Sequence, residues 1–220
     1  GIGAFELVGF DACLMGQLEV MSSIAPYARY AVASEETEPA IGWAHSSYLK
    51  ALNKNPDMTG KELGKAIVDS YIEQDFRITD DDARYVYAEG DYTAKSVIAD
   101  TIVDTTLSTI DLGAVQNLNA AINDLALALM GIDQKLVSKA RTYAQSYTSV
   151  FEEKVPPSYI DLGNFVDLLL ESVDDPNVVK AAKNVKSALK NTVTSETHGK
   201  DRPGSNGLSI YFPTSKLYKT

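Results

Sequence analysis

The sequence predicts an α/β fold built on a parallel sheet, and three stretches near its start predict it. Phe5-Glu6-Leu7-Val8-Gly9-Phe10 is a short apolar run of the kind that forms a buried strand. Leu14, Leu18, Met21 and Ala25 then recur at helical spacing, up to Pro26. Tyr30-Ala31-Val32-Ala33-Ser34 is a second short strand candidate. Strand, helix and strand in that order form a right-handed crossover unit with parallel strands and helices on both faces. In such sheets ligand sites lie at the carboxyl ends of the strands. Cys13 and the segment Ser34-Glu35-Glu36-Thr37-Glu38-Pro39 both fall there, and Gly42-Trp43 continues the second loop with the only tryptophan.

The elements that follow can be taken in order. Residues 46–53 and 61–75 have helical patterns, and Thr59 with Glu62 three residues on makes a capping box for the second. Residues 76–93 mix the acids Asp80, Asp81 and Asp82 with aromatics and predict an exposed loop plus a short strand. Thr109-Ile110-Asp111-Leu112-Gly113 resembles Tyr159-Ile160-Asp161-Leu162-Gly163, and each precedes an amphipathic helix. Asp111 and Asp161 are therefore read as helix caps. A long helix is expected over 133–151, and Pro156-Pro157 breaks the chain after it. Residues 177–191 form a basic-faced helix, 199–207 a loop rich in Gly, Pro, Ser and Asn, and 207–213 a late buried strand.

Composition excludes several classes. A chain of 220 residues can bury a full core. The formal net charge of -10 argues against nucleic acid, whose phosphates require a basic surface, and suits a cationic partner or substrate. One cysteine rules out an internal disulfide framework and any cysteine-based zinc site. No apolar run approaches the roughly 20 residues of a membrane span. The sequence has no signal peptide and no starting Met, which predicts a piece of something longer.

The lone Cys13 carries the chemistry. Read at a helix N-terminus, it would face unpaired N–H groups and the positive end of the dipole, which stabilise a thiolate and lower a cysteine pKa from about 8.5 toward neutrality. A free cysteine is equally a common buried hydrophobe. A nucleophilic thiol needs a base brought near in space, usually histidine. His45, after Trp43, and His198, in the loop before the last strand, are the two histidines of the chain. Either is a candidate partner or a solvated loop residue. A self-contained Cys13–His198 enzyme requires the imidazole within hydrogen-bond reach of the sulfur.

Phe10-Asp11-Ala12-Cys13-Leu14-Met15-Gly16, Ala33-Ser34-Glu35-Glu36-Thr37-Glu38-Pro39, Gly42-Trp43 and Gly207-Leu208-Ser209-Ile210-Tyr211-Phe212-Pro213 resemble the clostripain family of cysteine peptidases, in the clan of caspases, legumain and gingipains. The resemblance implies a caspase-like α/β/α sandwich with a mostly parallel sheet, a Cys–His dyad and endopeptidase cleavage after Arg or Lys. It makes Cys13 the nucleophile and Asp11 a buried acid at the floor of the S1 pocket, able to pair with a guanidinium or ammonium. Ser34, Glu36, Thr37 and Glu38 would form the pocket wall.

The family's histidine precedes the cysteine, in a His-Gly motif that the 12 residues before Cys13 do not contain. The resemblance therefore implies a light chain or N-terminal segment that carries the histidine and the first strands. This chain would then be the heavy-chain portion of one peptidase domain, with 76–157 as a helical and loop insertion and 158–213 returning to the core. Ile41 stands where the family shows a second acid, which weakens the expected preference for Arg. The chemistry requires no cofactor. Calcium is a family option for which Asp80, Asp81 and Asp82 offer hard oxygen ligands, but three adjacent acids cannot all face one ion, and a solvated acidic loop is the better reading of them. A secreted or cell-envelope location in a bacterium follows from the same resemblance. The reading of another class is a catalytically inactive, peptidase-like binding module.

Overall fold

The computed structural model describes residues 3–148 and 157–214. The chain opens with strand β1 (Phe5–Gly9), helix α1 (Leu18–Ile24) and strand β2 (Ala28–Ala33). β1 and β2 pair in parallel, Leu7 with Tyr30 and Gly9 with Val32. The crossover expected from strand–helix–strand order is therefore present. Helices α2 (His45–Lys54) and α3 (Gly60–Ser70) follow. Thr59 and Glu62 form the expected capping box on α3.

Residues 76–93 depart from the sequence reading. In place of a loop and a strand they form the short helices α4 (Phe76–Thr79) and α5 (Asp81–Tyr87), ahead of α6 (Ala94–Thr101). The acids explain the difference. Asp75, expected to end the helix over 61–75, instead caps α4 through the Arg77 N–H, and Asp80, expected in an exposed loop, caps α5 through the Ala83 N–H.

Strand β3 (Thr106–Asp111) leads to α7 (Val115–Leu129) and α8 (Gln134–Tyr143). α8 is shorter than the helix expected over 133–151. The chain leaves it to pair with the next strand: Ser146 bridges Ile160, and the Asp161 N–H donates to the Gln145 carbonyl at 2.8 Å. The remainder of that expected helix, 149–151, and Pro156 lie outside the described residues. Strand β4 (Tyr159–Asp161), helices α9 (Leu162–Ser172) and α10 (Pro176–Thr192), and strands β5 (Val193–His198) and β6 (Ser209–Tyr211) complete the chain. The late strand expected over 207–213 is thus three residues long, paired antiparallel to β4.

The main sheet has the order β1-β2-β3-β5, with β3 antiparallel to both neighbours, so within the described residues it is mixed. β3 lies in its middle. Residues 76–157 are therefore not simply an insertion, because they deliver a central strand. β1, expected to be buried, is an edge strand with Phe5 52% exposed. Alternation along β2 and β3 sorts side chains to two faces. Ala31, Ala33 and Ile110 pack under Leu118 of α7, Phe165 and Leu169 of α9 and Val185 of α10. Val32 and Leu107 pack on the opposite face against Ile67 and Val68 of α3 and Ile78 of α4. The result is three layers, α/β/α.

Candidate active site

The loops that leave the carboxyl ends of β1 and β2 run side by side. The Phe10 N–H donates to the Val32 carbonyl at 2.9 Å, that of Leu14 to Glu36 at 3.0 Å and that of Gly16 to Ser34 at 2.6 Å. Gly16 permits this approach: a Cβ there would lie 2.8 Å from the Glu35 nitrogen and the Ser34 carbonyl carbon, which are backbone atoms that cannot yield. Cys13 is carried at the tip of the first loop, exposed, followed by Leu14 at φ 59°. That left-handed backbone is uncommon for a leucine and marks the turn as held by its surroundings. The helix-terminus reading of Cys13 is not what the structure shows. α1 starts at Leu18, and a helix dipole acts within about one turn of its end. The group facing Sγ is instead the Glu38 N–H, at 3.3 Å.

Asp11 stands two residues before Cys13 in the same loop. Its Oδ2 accepts the Trp43 N–H at 3.3 Å, and His45 Nε2, at the start of α2, lies 3.6 Å from the same oxygen. The side chain is 32% exposed, so the carboxylate is open to solvent rather than buried as expected. Gly42, at φ +63°, makes room for it, since a Cβ there would meet Asp11 Oδ2 at 2.8 Å. Glu38 completes an acidic pair. Its Oε1 accepts the Trp43 indole N–H at 3.1 Å and its Oε2 accepts the Tyr71 hydroxyl. Burial pushes the Glu38 carboxyl up to about 7; the Tyr71 and Trp43 hydrogen bonds pull it back, and the Asp11 charge raises it again. Tyr71 is raised by its own burial and by the Glu38 charge, and it stays a donor.

Of the other expected wall residues, Ser34 and Glu36 turn their side chains inward. The Ser34 side chain is buried against Thr106 Oγ1 at 2.9 Å. The Glu36 carboxylate has no exposure and binds Arg202, with Nη2 at 2.6 Å and Nε at 2.9 Å from Oε2, and also accepts the Thr148 N–H at 3.1 Å. Thr37 is half-buried, and its N–H donates to Glu36. Ser34 and Glu36 therefore shape the loop from beneath instead of lining its open side. Ile41 is buried among Val32, Trp43 and Ile67, and so occupies the core rather than an acid's place in a pocket. Beneath the loop Glu35 is buried with its Oε2 on the Gly207 N–H at 3.0 Å. Burial, then the charge of Asp161, pushes its carboxyl well above the usual range.

His198 does not lie in a loop. It ends β5, with Nδ1 2.7 Å from Glu196 Oε1. Among the described residues neither histidine is within hydrogen-bond reach of Cys13 Sγ, so the structure does not form the self-contained dyad. Asp161 is the cap expected, accepting the Asn164 N–H at 2.6 Å to start α9. Asp111 is not. It closes a turn on the Gly113 N–H at 2.9 Å, and Ala114 sits at the start of α7 without a side-chain cap. Asp80 caps α5 and Asp81 pairs with Arg84, and among the described residues no group of three or more His, Cys, Asp or Glu is placed to hold a metal ion.

The profile of the clostripain family, peptidase C11, matches residues 2–218. The chain belongs to the clostripain family. Solved structures agree on the fold. A clostripain from Bacteroides thetaiotaomicron in complex with a peptide inhibitor superposes with TM-score 0.63 at 19% identity, over 99% of this chain and 85% of its own. An inactive zymogen C11 protease from Parabacteroides distasonis gives 0.62 at 18%, over 99% of this chain and 55% of its own. A secreted C11 cysteine protease from B. thetaiotaomicron gives 0.62 at 17%, over 99% and 54%. This chain thus spans about half the length of two of the three. No curated protein matches it. The three layers are those of the caspase-like fold that these clostripain-family proteases share.

Tyr71 and Arg202 are the site residues that the sequence does not announce, and the role of Trp43 as a double donor is not legible in it either. Trp43 carries a weak signal as the one tryptophan in a loop at the sheet's ligand edge. Tyr71 and Arg202 carry none, since their partners lie 33 and 166 positions away.

Proposed function

We propose that the chain is the nucleophile-bearing part of a cysteine endopeptidase that cleaves after Arg or Lys. The observation that carries this reading is the exposed Cys13 sulfur at the carboxyl end of the parallel pair, with the solvent-open Asp11 carboxylate two residues before it in the same loop. The Cys13 thiolate attacks the scissile carbonyl, the amine leaves, and water releases the acyl group from the sulfur. The Cys13 backbone N–H and a glycine N–H next to the histidine form the oxyanion hole. The histidine comes from a light chain or an N-terminal segment, which adds to the sheet at β1. Support for this docking is the position of β1 as an edge strand, paired to β2 alone among the described strands. Asp11 draws in the cationic P1 side chain. The chemistry needs no cofactor. Secretion or attachment to the cell envelope suits such an enzyme, and among the described residues no helix is long and apolar enough to cross a membrane.

The absence of a histidine within reach of Cys13 among the described residues favours a second reading, a binding module without hydrolysis. One experiment separates them. The full-length protein is assayed against fluorogenic peptides that vary only at P1, with Cys13→Ala as the blank. Hydrolysis after Arg and Lys that vanishes in Cys13→Ala supports the peptidase. Peptide binding without turnover in both proteins supports the module. Equal cleavage after Leu and Arg removes the assignment of Asp11.

A further inference from the structure

Trp43 holds two carboxylates at once. Its backbone N–H is on Asp11 Oδ2 at 3.3 Å and its indole N–H on Glu38 Oε1 at 3.1 Å. The same Glu38 gives its backbone N–H to the Cys13 sulfur. Ile41, the residue that appears from the sequence to have removed a second acid, is buried in the core. Glu38, three residues earlier, is the acid that meets the Trp43 indole.

The groups around Glu38 leave its charge uncompensated. Asp11 and Cys13 face it from the β1–α1 loop, and Tyr71 from the end of α3. His45 and Tyr48 of α2 lie against Asp11. Arg77 of α4 donates to the Trp43 carbonyl at 3.2 Å, but its guanidinium is taken by Asp75 at 2.6 Å. Glu38 therefore has two hydrogen-bond donors and a neighbouring anion and, among the described residues, no cation of its own. A part-buried carboxyl in that position is held partly protonated near neutral pH, and an arriving cation favours its ionised form.

We propose that Glu38 is the second specificity-determining acid of the S1 pocket, and that binding of a cationic P1 side chain is coupled to loss of its proton to solvent. The inference rests on the P1 reading above and deepens it. The bookkeeping is one O–H bond broken, one proton released to water and one carboxylate–cation pair formed. Asp11 sets a basal preference for Arg and Lys, and Glu38 adds to it as pH rises.

The test is kcat/KM of the full-length enzyme for matched peptides with Arg, Lys or Leu at P1, from pH 5.5 to 8.5. Taking the ratio of basic to Leu substrate at each pH cancels the titration of the catalytic dyad. With Glu38 titrating at about 7, its ionised fraction rises roughly tenfold between pH 6 and pH 8, and the ratio should rise with it severalfold above the floor that Asp11 sets. Glu38→Gln keeps an oxygen for Trp43 and a polar group for Tyr71 but cannot ionise. Its ratio should be flat with pH and remain above one, through Asp11. A second measurement needs no turnover: calorimetric binding of a peptide ending in Arg to Cys13→Ala at pH 7, in buffers of different ionisation enthalpy. It should show about half a proton released, and none in the Cys13→Ala/Glu38→Gln pair. A basic preference that does not change with pH, or a rise that persists in Glu38→Gln, overturns the role of Glu38 and leaves the P1 reading intact. No basic preference at any pH overturns both.

Discussion

The Glu38 N–H and the Cys13 sulfur lie 3.3 Å apart, and this contact joins the nucleophile's turn to the loop that follows β2. The join is repeated one step away, where the Leu14 N–H donates to the Glu36 carbonyl at 3.0 Å. The β2 loop thus acts as a template for the Cys13 turn, whose Leu14 adopts a conformation that leucine rarely takes unaided. What fixes the template also fixes the thiol.

The first prediction concerns that template. Glu36 is buried and bound by Arg202 through Nε and Nη2. Arg202→Ala leaves a buried carboxylate with backbone donors only, a change that costs about 3–5 kcal/mol. Thermal denaturation should show Tm lower by about 10 °C, at the usual few degrees per kcal/mol for a chain of this size. The rate of Cys13 alkylation by iodoacetamide should change as well, because the turn loses its support. A double variant with Met at both positions should recover most of the stability. An unchanged Tm in Arg202→Ala would show that the pair does not anchor the loop.

The second prediction separates Asp11 from Ile41. Asp11→Asn keeps an acceptor for Trp43 but removes the charge. It should lower kcat/KM for Arg and Lys at P1 by about 10- to 100-fold, the usual worth of a hydrogen bond to a charged group, with little effect on neutral P1. Ile41→Asp, which the sequence suggests as a way to strengthen Arg preference, should not do so. Ile41 is 3% exposed in the apolar cluster, so the new carboxylate would be buried without a partner. The expected result is a loss of several degrees in Tm with no gain in the Arg-to-Lys ratio. A stable Ile41→Asp with sharper Arg preference would return Ile41 to the pocket.

Much of this arrangement is legible in the residues. The β1–α1–β2 unit, the capping box at Thr59 and the α9 cap at Asp161 depend on neighbours within a few positions, where periodicity and capping rules operate. The juxtaposition of Cys13 with residues 34–38 follows from strand order alone. The rest depends on contacts between distant segments. Nothing local distinguishes Glu38, which meets Trp43 and Tyr71, from Glu36, which meets Arg202, because both are acids in one loop. Asp80 is read as a loop signal and Asp75 as the end of a helix when both are caps, since the short helices that they start bury little and show no period. α8 ends early because Ser146 pairs with Ile160, a partner that helical spacing cannot reveal.

The third prediction tests the space around Asp11. Gly42 has φ +63°, and a Cβ there would lie 2.8 Å from Asp11 Oδ2. Gly42→Ala therefore combines left-handed strain of about 1–2 kcal/mol with displacement of the acid. Stability should fall by that amount, and kcat/KM should fall selectively for basic P1. Equal losses for basic and neutral substrates would mean that the loop, and not Asp11, had moved.

The last prediction concerns Glu35 and pH. Glu35 is 1% exposed, its Oε2 accepts the Gly207 N–H, and its Oε1 has no hydrogen-bond acceptor or donor of its own among the described residues. Burial raises its carboxyl well above the ordinary 4.5, and the Asp161 charge raises it further. Such a group binds a proton in the folded chain that it has lost in the unfolded chain. Its contribution to stability is therefore complete below pH 4.5 and disappears as pH climbs toward the folded value. Glu38 adds loss of the same sign between 4.5 and about 7, on the order of 3 kcal/mol, and Asp161 is raised in the same direction. The wild-type Tm should accordingly be higher at pH 5 than at pH 8, contrary to the usual behaviour of carboxylates held by ion pairs. Glu35→Gln isolates one part of this. The amide carbonyl can take the Gly207 N–H, and the amide nitrogen can donate toward Asp161 without ionising. At pH 5 the variant should match the wild type closely, and at pH 8 it should be the more stable of the two. A Tm that rises with pH in the wild type, or a Glu35→Gln protein that is less stable at both values, would show that Glu35 is ionised in the folded chain and that its partner is not Asp161.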